Sequence, residues 1–252
     1  MTTAKPLILI TGANQGLGFA AAKQLASTSK YRLLIGARSQ EKADRAVKEL
    51  QVGGSDDHDL TPVVVDLDSD TSTEATAAFV TERFGSLDIF INAGINRSSN
   101  AHATLRETYR AVFETNVFGP ASLIETFLVL LRASQYPDRR IVNVTSGLGL
   151  IGMAYSPTSA YSARVWELPV YRGSKAATNI ISAVDAVRLR EEGILVVLAA
   201  PGYCRTALGG ILVSRIPRRG RSRLSPGRSR ARRMSCLGRL STMRISRRNF
   251  GW

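Results

Sequence analysis

Residues that form disulfides, metal sites and nucleophilic triads are scarce in this chain of 252 residues, which has two cysteines and two histidines. Cys204 and Cys236 are too few for a disulfide framework, and Cys204 has no basic partner that would activate its thiol. His58 and His102 lie among polar residues, so we exclude a histidine-rich metal cluster and a Ser-His-Asp triad. This composition predicts a reducing, cytoplasmic compartment.

Long apolar runs are also missing. Apolar residues make up 44% of the chain, yet no uninterrupted stretch reaches the roughly eighteen residues that a membrane-spanning helix needs. The first apolar run, residues 7–10, is too short for a signal-peptide core and leads directly into a glycine-rich turn. We therefore predict no membrane span and interpret this run as a buried strand.

Lysine and acidic residues are absent from residues 208–252, which contain thirteen arginines. This segment therefore carries +13 of the formal net charge of +14, and residues 1–207 carry +1. Its high charge and lack of apolar periodicity predict a disordered tail after a domain formed by residues 1–207. Two origins are open: an arginine-rich arm that binds phosphate backbones, or a stretch translated in the wrong frame. We favour the second, because the arginine-rich stretch begins abruptly where the patterned sequence stops.

Short apolar runs alternate with longer helical stretches as far as about residue 200, which is typical of βαβ units. Strands are predicted at residues 6–11, 31–37, 61–66, 87–92, 140–145 and 194–200. Helices are predicted at residues 15–27, 40–50, 71–84, 105–134 with a break near Gly119 and Pro120, and 171–192. The predicted fold class is α/β, a Rossmann-type doubly wound parallel sheet of six strands with ligand-binding residues at the strand carboxyl ends.

A glycine-rich turn separates the first predicted strand from the first predicted helix. Glycines there let the backbone approach a pyrophosphate, and the helix that follows presents free amides to it. Taken alone, such a turn could also be an ordinary tight connection. The candidate cofactor-binding residues of the turn are Gly12, Asn14, Gln15, Gly16, Leu17 and Gly18.

Tyr171 and Lys175 are four residues apart on a predicted helix, so their side chains share one face. An ammonium close to a phenol favours phenolate, and the pair would form a proton donor. Lys175 is the only lysine after Lys48, which argues against chance spacing. The alternative is a tyrosine and a lysine on the surface of an amphipathic helix.

Several motifs together resemble those of the short-chain dehydrogenase/reductase family, in particular its carbonyl-reductase-like members. The glycine turn has the TGxxxGxG spacing, and residues 171–175 have the YxxxK signature. Asp66 is similar to the family's adenine-contacting acid, and Asn116 and Ser146 are similar to its active-site asparagine and serine. Two short motifs also match: Asn92, Ala93 and Gly94, and the turn with Pro201, Gly202 and Thr206. The resemblance covers about residues 5–207.

The resemblance implies roles for these residues. Tyr171 would exchange a proton with the substrate oxygen, and Ser146 would hydrogen-bond that oxygen. Lys175 would hold the nicotinamide ribose and lower the tyrosine pKa, and Asn116 would hold a water molecule. Both Lys175 and Tyr171 would also touch the cofactor, and Thr206 would contact the carboxamide.

Cofactor choice is expected to depend on Arg38, which follows the second predicted strand. An acid there would accept the ribose hydroxyls of NAD, whereas an arginine pairs with the 2′-phosphate of NADP. We therefore expect NADP(H) rather than NAD(H), although Arg38 could also be a solvated surface residue.

Two stretches depart from the family pattern. Ser146 precedes Tyr171 by twenty-five residues, about double the usual gap, and the extra residues 155–169 are predicted to form a loop. Its aromatic residues, Tyr155, Tyr161 and Trp166, would either line a pocket for a bulky apolar substrate or pack on the surface. Beyond residue 207 the family's substrate lid and last strand are missing.

Three functions follow as hypotheses. The first is an NADP(H)-dependent oxidoreductase that reduces a carbonyl, or oxidises an alcohol, of a lipophilic small molecule in secondary metabolism. The second is an inactive, truncated dehydrogenase-like protein. The third, disfavoured because aromatic residues do not alternate with the arginines, is a nucleic-acid-associated protein acting through its tail. A homo-oligomer remains open.

Overall fold

The computed structural model describes residues 5–52, 59–93 and 103–202. Within these ranges there are six strands: β1 (Leu7–Thr11), β2 (Arg32–Ala37), β3 (Leu60–Val64), β4 (Ile89–Asn92), β5 (Arg140–Val144) and β6 (Leu195–Ala199). The described residues between them form seven α-helices: α1 (Gly16–Ala26), α2 (Gln40–Val52), α3 (Asp70–Phe84), α4 (Leu105–Phe113), α5 (Gly119–Ala133), α6 (Ile151–Tyr155) and α7 (Pro169–Arg188). A π-helical turn, Glu114–Phe118, joins α4 to α5, and a 3-10 turn, Gly147–Gly149, precedes α6.

All strand pairs are parallel, and the sheet order is β3-β2-β1-β4-β5-β6. The strand order reverses between β1 and β4, which creates the crevice where open α/β sheets bind ligands. This arrangement confirms the predicted six-stranded, doubly wound Rossmann-type sheet. Among the residues described, β6 pairs with β5 alone.

The core has two layers because successive residues of β1 point to opposite faces of the sheet. Leu7 and Leu9 belong to the layer under α3 and α5, where the rings of Phe90 and Phe127 stack with centroids 6.1 Å apart. The alternating residues Ile8 and Ile10 belong to the layer under α1 and α2. Burial on both faces accounts for the continuous apolar runs of the strands.

Element boundaries differ modestly from the predictions. Helix α7 begins at Pro169 rather than Tyr171, because proline suits the first turn of a helix, where its missing N–H costs nothing. It ends at Arg188, and the chain turns through Gly193, which has a φ of 72°. The predicted loop at residues 155–169 is confirmed for residues 156–168, which lie between α6 and α7.

The stretch Leu105–Ala133 is long and apolar enough to cross a membrane by length and composition alone. Its most apolar window is 56% buried inside the protein, and the buried side chains of α5 include Leu123, Phe127 and Leu131. A core helix of a sheet protein has the same properties, so this stretch is weak evidence for a membrane span.

Gly119 yields a stability prediction, because a Cβ at this position would lie 2.1 Å from the carbonyl oxygen of Leu67. Alanine normally stabilises a helix relative to glycine, but here it would push α5 away from the turn after β3. We expect Gly119→Ala to lower the free energy of unfolding by about 2 kcal/mol, as measured by urea denaturation.

Gly152, in α6, provides the control, since a Cβ there meets nothing within 4 Å. Gly152→Ala should raise the free energy of unfolding by a few tenths to about 1 kcal/mol. Equal effects of the two substitutions would contradict the close packing of α5.

Candidate active site

The turn between β1 and α1 depends on glycines for two separate reasons. Gly12 and Gly16 have positive φ values of 60° and 57°, in the region that side chains disfavour. Gly18 has no room for a side chain, because its Cβ would lie 2.4 Å from the carbonyl oxygen of Gly12. The turn is also tied to β2, since the N–H of Ala13 donates to the carbonyl of Gly36 at 2.9 Å.

Helix α1 starts at this turn without a side-chain cap. Gln15 occupies the N-cap position in an extended conformation and makes no capping hydrogen bond, and the first turn contains no acidic residue. The first amides of α1 therefore have no side-chain acceptor from the cap. Free amides and the positive end of a helix dipole favour a bound anion such as a phosphate.

A cleft opens between this turn and the ends of β2 and β3. It brings together four predicted cofactor residues: Gly12, Asn14, Arg38 and Asp66. Asp68 and Thr115 also line it, and the hydroxyl of Thr115 donates to the carboxylate of Asp68 at 3.0 Å. These last two residues are not among the predicted cofactor residues. Asp68 could have been found, because it lies two residues after Asp66 just beyond the same strand.

The carboxyl ends of β1 and β4 meet beside the glycine turn. Thr11 pairs in register with Asn92, and its hydroxyl donates to the side-chain oxygen of Asn92 at 3.1 Å. Both residues are buried, as is Ala93. The two other residues predicted in cofactor motifs, Gly94 and Thr206, lie outside the described residues, as does the tail at 208–252.

Asn116 occupies the π-helical turn between α4 and α5. The backbone carbonyl of Asn116 lies four residues before Pro120, which has no N–H to donate to it. This carbonyl instead accepts a hydrogen bond from the hydroxyl of Thr178 at 3.1 Å. The Asn116 side-chain nitrogen donates to Ser174 at 3.2 Å. Its side-chain oxygen is buried and accepts nothing from the residues described. Such turns within helices are frequent at functional sites.

The side chains of Ser146 and Tyr171 lie close enough in the structure for Ser146 to affect the pKa of the phenol. Ser146 follows β5, and its hydroxyl accepts the N–H of Leu148 at 3.2 Å. Burial raises the pKa of Tyr171, and a side-chain hydrogen bond with Ser146 lowers it by less, so the pKa stays above its usual value. This direction differs from the predicted lowering of the tyrosine pKa.

Lys175 lies almost completely out of solvent, with 3% of its surface exposed. Its amine donates to the backbone carbonyl of Val144 at 3.0 Å, and it lies 5.9 Å from the centre of the Tyr171 ring. Burial lowers the pKa of the amine to about 8. Burial thus disfavours the charged amine relative to an exposed lysine, although the amine still carries its charge below about pH 8.

Two other buried polar residues of α7, Asn179 and Ser182, bind the same segment. Asn179 accepts from the hydroxyl of Thr145 at 2.5 Å. Ser182 accepts from the side-chain nitrogen of Asn143 at 2.8 Å. These contacts fix α7 along β5, and thereby place Tyr171 opposite Ser146. Within the described ranges, no group of three or more His, Cys, Asp or Glu residues could hold a metal ion.

Comparisons with known proteins find related sequences. The model of the short chain dehydrogenase family matches residues 6–214. The chain is 72% identical over 207 residues to the short-chain dehydrogenase anuI of Penicillium roqueforti (strain FM164), covering 82% of this chain and 81% of that protein. It is 26% identical over 256 residues to carbonyl reductase 1 (NADPH) of Mus musculus, covering 87% and 89% of the two chains.

Two solved structures have a similar fold. The NADPH-bound carbonyl reductase from chicken fatty liver has a TM-score of 0.67 and 31% identity, over 82% of each chain. The NADP active-site complex of Pseudomonas aeruginosa RhlG has a TM-score of 0.68 and 27% identity, over 84% of this chain and 77% of that one.

The buried amine of Lys175 should carry a stability cost that depends on pH. Below about pH 8 the amine is charged in both the folded and the unfolded chain, so Lys175→Met should raise the free energy of unfolding by about 1 kcal/mol at pH 7. Between pH 8 and 10.5, the pKa of the amine in the unfolded chain, Lys175 is protonated only in the unfolded chain. The free energy of unfolding of the wild type therefore increases as pH rises through this range. The advantage of the variant should therefore shrink.

Urea denaturation at pH 7 and pH 9.5 measures this difference, and Lys48→Met on the exposed side of α2 is the control. A gap between wild type and Lys175→Met that stays constant over this range would show that the amine is not buried as described.

Proposed function

Since the chain belongs to the short-chain dehydrogenase/reductase family and is an oxidoreductase, we propose that it reduces the carbonyl of a lipophilic small molecule, or oxidises the corresponding alcohol, with NADP(H). The observation that carries this proposal is the placement of Tyr171 close to Ser146, with the amine of Lys175 5.9 Å from the centre of the phenol ring. We further propose that the reaction belongs to secondary metabolism.

Tyr171 acts as the proton donor in carbonyl reduction. Because its pKa lies above the usual value, the phenol carries its proton throughout the neutral range. As the carbonyl carbon gains a hydride, the carbonyl oxygen gains the proton of Tyr171, and an alcohol results. Ser146 donates a hydrogen bond to the same oxygen and holds it beside the phenol. At neutral pH Tyr171 is therefore in the protonated form that carbonyl reduction requires.

Lys175 and Asn116 support the cofactor and the proton supply. Lys175 would bind the nicotinamide ribose hydroxyls, and below about pH 8 its charge would stabilise the phenolate that remains after proton transfer. The buried side-chain oxygen of Asn116 has no partner among the described residues, so it is free to accept from a water molecule that returns a proton to the site.

The residues present fit a dinucleotide. When bound, NADPH would supply the hydride. The pyrophosphate would be held by the glycine turn and by the uncapped start of α1. The turn leaves room for it only without a side chain, because a Cβ at Gly18 would collide with Gly12. Arg38 would pair with the 2′-phosphate. The other residues that we propose to contact the cofactor are Asn14, Gln15, Gly16, Leu17, Asp66, Asn92, Ala93, Gly94, Pro201, Gly202 and Thr206.

We place this activity in the cytoplasm and propose that the chain can form homo-oligomers. The outer face of α7 exposes three apolar side chains at helical spacing, Ile180, Val184 and Val187, with exposures of 53%, 58% and 77%. A stripe of this kind on a surface helix fits contact with another protein surface.

Tyr171→Phe should abolish most of the carbonyl reduction. The substitution removes the proton but keeps the ring, so we expect turnover to fall by a factor of about 10² to 10⁴. Oxidation of NADPH with a panel of aryl and alkyl ketones measures turnover, and NADPH fluorescence titration measures cofactor binding, which should be unchanged. Tyr155→Phe is the matched control, because Tyr155 is 92% exposed.

Wild type that binds NADPH but turns over none of the ketones would favour the inactive, dehydrogenase-like alternative. Full activity in Tyr171→Phe would refute the assignment of the proton donor.

Arg38→Ala should weaken NADPH binding selectively. Loss of an arginine that contacts a phosphate should raise the dissociation constant for NADPH by roughly tenfold or more, while that for NADH stays within about twofold. Arg45→Ala, which removes an exposed guanidinium from α2, should change neither constant. Equal weakening of NADPH and NADH would show that Arg38 does not read the 2′-phosphate.

A further inference from the structure

Arg172, the residue after Tyr171, binds three backbone carbonyls in two segments through one guanidinium. Its Nε donates to the carbonyl of Trp166 at 2.9 Å, and its Nη1 donates to the carbonyl of Leu148 at 3.1 Å. Its Nη2 donates to the carbonyl of Tyr161. These acceptors belong to the turn after Ser146, to the middle of the 156–168 loop and to the end of that loop.

The guanidinium lacks the partner that a partly buried cation usually has. In the part of the chain that the structure describes, no carboxylate forms an ion pair with Arg172. Burial lowers the pKa of Arg172. Keeping the guanidinium charged here therefore costs free energy, which the hydrogen bonds to the three carbonyls offset. Only the flat, five-donor arginine head can reach three carbonyls at fixed angles, whereas a lysine amine is a compact point charge.

The contact with Leu148 leads directly to the proposed catalytic serine. The carbonyl of Leu148 accepts from Arg172, and the N–H of the same residue donates to the hydroxyl of Ser146 at 3.2 Å. Movement of this turn would therefore change the position of the Ser146 hydroxyl relative to Tyr171.

The other two contacts hold the loop against the same turn. The ring of Tyr161 lies so close to Gly147 that a Cβ there would be 3.0 Å from it. The N–H of Ala163 donates to the carbonyl of Ala154 at 2.9 Å, and the indole of Trp166 donates to the carbonyl of Ala160 at 3.0 Å. The loop is thus a folded unit that rests on the segment after β5.

We propose that Arg172 is a positioning residue that fixes the Ser146 hydroxyl relative to Tyr171 and holds the 156–168 loop against the turn after β5. The catalytic part of this inference rests on the proposed function. Its structural part, the attachment of the loop to α7, can be measured without turnover.

The kinetic test compares Arg172→Met with Arg164→Met, which removes an exposed guanidinium from the same loop. We expect Arg172→Met to lower kcat/KM for ketone reduction by about 30- to 100-fold, because small displacements of positioned groups have effects of this size. The dissociation constant of NADPH should stay within twofold. Arg164→Met should resemble wild type in both measurements.

A second measurement separates positioning from a general loss of structure. In Arg172→Ala, added guanidinium ion should occupy the vacated site and raise kcat/KM of the variant at least fivefold. Sodium chloride at the same ionic strength should not raise it. Arg172→Lys should stay well below wild type, since one amine cannot span the three carbonyls. Absence of guanidinium rescue together with weaker NADPH binding would overturn the proposal.

Limited trypsin digestion tests the loop without any activity. Cleavage after Arg164, followed by mass spectrometry, should be about tenfold faster in Arg172→Met than in wild type, because the loop opens more often. Cleavage after Lys48 is the internal control and should be unchanged. Equal cleavage after Arg164 in the two proteins would overturn the role of Arg172 in holding the loop. A wild type without ketone turnover would overturn the proposed function, but the difference in cleavage would still support the attachment of the loop by Arg172.

Discussion

Helix α7 buries five polar residues, and each of them needs a partner because water is excluded there. The residues are Ser174, Lys175, Asn179, Ser182 and Asp185. Ala186 of the same helix packs against the apolar core, while the hydrogen bonds of the buried polar residues specify the register of the helix. The amine of Lys175 on the carbonyl of Val144 and the two contacts with Thr145 and Asn143 allow one register of helix against strand. The register brings Tyr171 to Ser146, and the rest of the candidate site depends on it.

Most of the fold could be predicted because the sheet is buried on both faces, which makes each strand a visible apolar run between glycine or polar residues. The glycine turn could be predicted for a related reason, since positive φ values at Gly12 and Gly16 restrict the residue type. Contacts between distant segments could not be predicted in this way. In the sequence, Arg172 is simply the residue after Tyr171 in the YxxxK motif. Its neighbours do not indicate that it donates to the carbonyls of residues 148, 161 and 166. The π-helical turn left only an indirect signal, an asparagine four residues before Pro120.

The pKa of Tyr171 shows a different limit of the sequence. Spacing predicts correctly that Tyr171 and Lys175 share a face of α7, and the 5.9 Å between the amine and the ring agrees with that. Spacing does not report how much water reaches the pair. Burial raises the pKa of the phenol and lowers that of the amine to about 8, so both shifts oppose the phenolate–ammonium pair that the motif suggests. Desolvation depends on the whole surrounding structure, and for this reason it was invisible in residues 171–175 alone.

These opposed shifts also bear on the direction of the proposed reaction. Carbonyl reduction must begin with a protonated phenol and end with a phenolate, whereas alcohol oxidation must begin with the phenolate. At neutral pH the buried phenol of Tyr171 is in the form that reduction requires, and the amine of Lys175, below its pKa of about 8, still carries the charge that stabilises the phenolate left behind. Oxidation would first need removal of a proton from a buried group whose pKa burial has raised. Desolvation of Tyr171 thus opposes the expected low tyrosine pKa and raises the cost of forming the phenolate with which oxidation would begin.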